Sequence, residues 1–143
     1  MTTEQSATKS PTSDFTYLVP EGMEETGETY GLAPGVRSGN FIFVSGQLGI
    51  DESGAIPADG ARQAELAILA VERVLAEAGA TLRDIVQLQT FHKGGMAATN
   101  EWFLPVKSRY FPAPYPSWTG FGVADLGGDG ALIEIGASAR VPS

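Results

Sequence analysis

The sequence contains no cysteine, which removes disulfides, thiolate metal sites and a cysteine nucleophile together. It holds a single histidine, His92, so a metal site built from several histidines of one chain is also excluded, and no metal is expected. Basic residues are few: nine Lys and Arg against 17 Asp and Glu leave a formal net charge of -8 at pH 7. Such a surface repels phosphates and offers no Lys/Arg cluster to displace their counterions, so no nucleic-acid partner is expected. No apolar run is long enough to cross a bilayer, and the opening MTTEQSATKSPTSD lacks the hydrophobic segment of a secretory signal. No membrane partner is expected, and a cytoplasmic location follows by default.

What is present is an ordinary globular balance, 43% hydrophobic and 18% charged over 143 residues, enough for one domain. Residues 1–14 are rich in Ser, Thr and Pro and read as a disordered tail, leaving 15–143 as the single domain. No internal repeat is visible. An acidic cluster (Glu21, Glu24, Glu25, Glu28) precedes Thr29–Leu32, which reads as a short edge strand. Asn40–Leu48 is a clear strand, β-branched and aromatic, left through the turn sequence Asp51–Gly54. Its apolar residues fall on both faces, so cover on both sides is expected. Ser45 and Gly46 interrupt it, and Gly inside a strand marks a bulge or a close approach of backbone or ligand.

Ala61–Ala78 carries apolar residues at helical spacing, with Asp59 as N-cap and Gly79 as stop. A strand over Ile85–Phe91 follows, then a helix from about Ala97 to Phe111 that Pro105 is expected to kink or divide. Strands over Trp118–Val123 and Leu132–Ala139 close the domain. The Gly127–Gly130 segment between them lacks the Lys-Ser/Thr of a phosphate loop and reads as a hairpin loop. The order implies an α+β fold, a mixed sheet with two helices packed on one face. Its other face, apolar as the strands imply, needs cover from other subunits.

Several segments resemble the RidA/YjgF superfamily. Ser38–Leu48 (SGNFIFVSGQL) is similar to its "GN-hydrophobic-VFVSGQ" strand, and Glu77–Val86 to its "EAAGASLDDVV" segment. Ala98–Glu101 resembles the "AxNE" helix start and Leu132–Ile135 the "VEIE" strand, so the likeness spans about Tyr30 to Arg140. The resemblance implies a chorismate-mutase-like fold, a barrel-like homotrimer with clefts between subunits, and hydrolysis of enamines and imines without a cofactor. It also implies a Glu that holds the attacking water, matched by Glu134, and an Arg that grips a carboxylate. At the Arg position, in Tyr115-Pro116-Ser117-Trp118-Thr119, stands Trp118. Phe91-His92 and Tyr115–Val123 look more like the Arg-less YjgH-like branch, and the family's first-strand aromatic falls near Leu32.

An Arg fork captures a carboxylate through paired charged hydrogen bonds, whereas an indole offers one N–H and an apolar face. The substrate range is therefore expected to differ. Glu134, on an apolar strand, either orients water or sits hydrogen-bonded in a subunit interface. His92 is either an acid–base group near neutral pH or a structural hydrogen-bonder, and Lys93 beside it is either the replacement cation or solvated. Trp118 is either a core or interface aromatic or a stacking wall for a planar ligand. Ser45, Gly46, Thr119 and Gly120 present hydroxyl or backbone donors, Asn100 is an N-cap or interface hydrogen-bonder before it is a ligand contact, and Tyr115 joins the substrate-binding set. The expected activity is hydrolysis, deamination or proton transfer on an enamine-, imine- or carbonyl-like metabolite. The alternative is a trimeric ligand-binding or scaffold protein that has lost the chemistry.

Overall fold

A computed structural model describes residues 15–143. The tail expected over residues 1–14 lies outside the described residues. The elements run β1 (Phe15–Leu18), α1 (Glu24–Tyr30), β2 (Gly35–Ser38), β3 (Phe41–Leu48), α2 (Gly60–Ala76), a 3-10 turn (Leu82–Asp84), β4 (Ile85–Lys93), α3 (Met96–Tyr110), β5 (Ser117–Val123) and β6 (Ile133–Arg140). They build one six-stranded sheet in the order β1-β2-β3-β6-β4-β5, antiparallel except for the parallel β4–β5 pair. The α+β class expected from the element order is what the chain adopts.

Helix α2 forms where its stripe requires. Asp59 accepts the Ala61 N–H at 3.2 Å as N-cap, and Gly79 ends the segment at φ 73°. Ala64, Ala67, Ile68, Val71, Val74 and Leu75 are buried against the sheet. The helix lies close because Gly49 has no side chain: a Cβ there would sit 2.1 Å from the Gln63 carbonyl oxygen. Both α2 and α3 pack on one face, over Ile133, Ile135, Ala137 and Ala139 of β6 and Leu88, Thr90 and His92 of β4.

Gln63 ties the loops to this core. Wholly buried, it donates to the Pro57 and Gly130 carbonyls at 2.7 and 3.0 Å and accepts the Leu132 N–H at 2.8 Å. Gln63→Leu removes all three of these hydrogen bonds, with an expected loss of about 3 kcal/mol. The denaturant midpoint measures it.

Several expectations change. Thr29–Leu32 is no strand: Thr29 and Tyr30 end α1, which Gly31 closes at φ 69° by donating to the Gly27 carbonyl. Acidic residues in the first turn suit a helix N-terminus, so the acidic cluster marks a helix start. Pro105 does not divide α3, because it lies on the solvent side, where the carbonyl it leaves unpaired meets water. The segment 127–130 is not a hairpin loop: β5 and β6 flank β4 rather than each other. Nor is β3 covered on both sides within the chain, since Phe41 and Phe43 are 46% and 50% exposed on the face away from the helices. A third, short helix joins the two expected.

Candidate functional site

Period-2 alternation sends the side chains of the central strands to opposite faces of the sheet. On β6, Ile133 and Ile135 enter the helix-covered core, so Glu134 between them emerges on the open face. There it is registered with Phe91 of β4, whose ring stacks on Phe121 of β5 at 5.2 Å and 13°. Phe41 and Phe43 extend this aromatic surface on β3.

The β3 irregularity expected at Ser45 and Gly46 is present as a register shift between Val44 and Gln47. Ser45 spends its hydroxyl proton on the Ala33 carbonyl at 2.7 Å, which fixes the strand to the loop between α1 and β2. Gly46 makes room for the acid: a Cβ on it would lie 2.1 Å from Glu134 Oε2. The Glu134 carboxylate, partly buried, has no hydrogen-bond or ion-pair partner among the described residues. Burial pushes its pKa above the ordinary carboxylate value. A carboxylate so placed holds water by its free oxygens and exchanges a proton closer to neutral pH than a solvated one.

Trp118 stands on the other face. It is registered with Leu88, its indole N–H donates to Thr90 Oγ1 at 2.8 Å, and its ring lies 6.0 Å from the buried Phe103 ring of α3. The shared hollow walled by Trp118 and facing Glu134 is therefore not formed within one chain. His92 is 0% exposed, with Nε2 2.6 Å from Thr90 Oγ1 and Nδ1 2.8 Å from Thr99 Oγ1. Phe103 meets its ring edge-on at 5.2 Å. Burial pushes the His92 pKa down, and with both nitrogens engaged by protein hydroxyls the ring does not meet a ligand directly.

Asn100 is not an N-cap. It lies in the second turn of α3, which begins after Gly95 without a side-chain cap, and its buried Oδ1 has no partner among the described residues. Thr119 and Gly120 lie on β5, an edge strand, registered with Gln89 and Thr90. Tyr115, 72% exposed, lines a cavity of about 530 Å³ with Arg83, Val86, Tyr110, Phe111 and Ser117. That cavity, between the 3-10 turn and the end of α3, takes in none of Glu134, Trp118 or His92.

Lys93, considered as a replacement cation, pairs instead with Asp125 at 3.4 Å. Sequence reasoning missed Lys107, whose Nζ stands 4.7 Å over the Trp118 ring and 5.9 Å from that of Tyr115. Its pKa is pushed down by burial, and no carboxylate pairs with it among the described residues. The available signal was its spacing of four from Phe103, which puts both on one helix face. Among the described residues no group of three His, Cys, Asp or Glu could hold a metal, and no helix is long and apolar enough to cross a membrane.

The sequence pattern of the endoribonuclease L-PSP family matches residues 27–141. The chain belongs to this family, the YjgF/RidA family. Its likeness to the RutC family protein YjgH of Escherichia coli K12 is 35% identity over 128 residues, 89% of this chain and 95% of that protein. The solved structure of protein YjgH superposes with a TM-score of 0.80, covering 90% of this chain and 97% of that one. Family members with named activities are also similar. The 3-aminoacrylate deaminase RutC of Acinetobacter baylyi is 29% identical over 87% of this chain and 96% of its own length. The 2-iminobutanoate/2-iminopropanoate deaminase of Escherichia coli K12 is 35% identical over 55% of this chain and 66% of its own length.

Proposed function

We propose that this chain is an imine or enamine deaminase of the YjgF/RidA family, acting as a homotrimer on a small metabolite held in clefts between subunits. The observation that carries the reading is Glu134: a partly buried carboxylate of raised pKa on an exposed aromatic face, with no partner among the described residues. Deaminase names among its relatives support the reaction class. The exposed Phe41, Phe43 and Phe121 support self-association over that face. Because Trp118 and Glu134 lie on opposite faces, a cleft that uses both takes them from two copies. The setting is cytoplasmic, without cofactor, nucleic acid or membrane.

Glu134 takes a proton from water as the oxygen adds to the imine carbon. It returns that proton to nitrogen, giving a carbinolamine. It then takes the hydroxyl proton and passes it to the same nitrogen as the C=O bond forms and the C–N bond breaks, so ammonia leaves a carbonyl product. An enamine first becomes the imine by gaining a proton at carbon and losing one from nitrogen. Ser45, Gly46, Asn100, Thr119, Gly120 and Tyr115 line the cleft, with Trp118 as the flat wall for a neutral or aromatic substituent. Lys107 above Trp118 is a point charge without the paired donors of an Arg, so carboxylated substrates bind weakly.

Assaying carboxylated and neutral imines side by side tests this. Neutral imines are expected to be turned over faster, and Lys107→Met to lower further whatever carboxylated activity remains. Absence of turnover on both, or a monomer by sedimentation, overturns it. In that case the retained fold and the missing Arg favour a ligand-binding or scaffold protein.

A further inference from the structure

Four side chains between β5, β4 and α3 form one continuous run of hydrogen bonds, and the donors in it can be assigned without seeing a proton. Trp118 Nε1 can only donate, so Thr90 Oγ1 accepts at 2.8 Å. At the far end Thr99 Oγ1 lies 3.0 Å from the Gly95 carbonyl, which can only accept, so the Thr99 hydroxyl proton goes there. Thr99 Oγ1 then accepts from His92 Nδ1–H at 2.8 Å, which leaves His92 Nε2 bare to accept the Thr90 hydroxyl proton at 2.6 Å. The opposite tautomer makes Thr90 Oγ1 accept from both Trp118 and His92. Its own proton then has no acceptor among the described residues, in a residue 0% exposed. Doubly protonated His92 meets the same obstacle.

We propose that His92, held as the neutral Nδ1–H tautomer, is a positioning residue that locks the Trp118 indole through Thr90. The ring cannot turn about its χ angles without giving up its one donor contact, and Phe103 packs behind both rings at 5.2 and 6.0 Å. The charged group that meets this cluster is Lys107, on the Trp118 ring. A wall fixed in this way presents one face to a ligand and keeps Lys107 over it. The consequence for substrate binding rests on the reading of Trp118 given above, whereas the hydrogen-bond assignment does not.

The single histidine makes the test clean. In ¹⁵N NMR of the full chain at pH 7, one imidazole should give a protonated Nδ1 and a bare Nε2. The Trp118 indole N–H should exchange slowly, told from that of Trp102 by its absence in Trp118→Phe. Thr90→Val should speed that exchange at least tenfold and raise KM several-fold with kcat changed less. Thr90→Ser, which keeps the hydroxyl, should restore both. A bare Nδ1 or a doubly protonated ring at pH 7 overturns the assignment in the unaltered protein, whether or not Thr90→Val folds. Unchanged indole exchange, or unchanged KM, in a folded Thr90→Val overturns the positioning role. Should no imine be turned over at all, the NMR result still decides the relay, so the two readings fail separately.

Discussion

Glutamine at position 134 is expected to lower kcat for imine hydrolysis by about 10²–10⁴-fold, the usual contribution of a positioned proton-transfer group. The amide has nearly the carboxylate's shape but cannot take the proton. Stability should not fall with activity. The folded pKa of Glu134 is raised by burial, so the native state binds its proton more readily than the unfolded chain. The ionised acid therefore opposes folding at pH 7, and that opposition fades as pH drops through the raised value towards 4.5. Glu134→Gln should thus unfold at the same denaturant concentration as the parent or higher. The parent's activity should decline as pH falls through the raised pKa, and the variant should lack that limb. Equal kcat in parent and variant would remove the acid from the reaction. Gly46→Ala gives a positional control. Its new methyl occupies the space of the carboxylate, so Glu134 must swing away and activity falls although the acid is still there.

Phe103→Ala should have the largest effect on folding, about 3–5 kcal/mol in the denaturant midpoint. The ring is 1% exposed and fills the space between α3, His92 and Trp118. The neighbouring Leu104→Ala, on the exposed side of α3, should stay within about 0.5 kcal/mol. Near-equal losses from the two would mean that the core behind β5 is not packed as described.

Strong periodic segments carried most of the fold legibly. Helix α2 could be read from its alanine-rich stripe, Asp59 and Gly79, and the central strands from their β-branched runs. The short N-terminal pieces could not. Strands β1 and β2 have four residues each, and such lengths hold little alternation to read. Helix α1 is hidden because its sequence EETGETY has no apolar stripe. Strand adjacency was lost for a different reason. Nothing local at Gly127–Gly130 tells that β4 will take the place between β5 and β6, since that pairing is decided by contacts distant in sequence. At the site, the family pattern brought out Glu134 and the Trp118 substitution. Which face each residue occupies required the register, because one residue of slippage exchanges the faces. The same holds for His92, whose type suggests acid–base work and whose two hydroxyl neighbours come into view only in the folded chain.

The opposed faces of Glu134 and Trp118 have a genetic consequence. If the chain assembles as proposed and both serve one cleft, a chain lacking the acid and a chain lacking the indole are each defective at every cleft of their own assemblies. When the two are unfolded and reassembled together, some clefts receive their acid from one parent and their indole from the other. Two inactive preparations would then complement each other, with an activity set by the statistics of mixing.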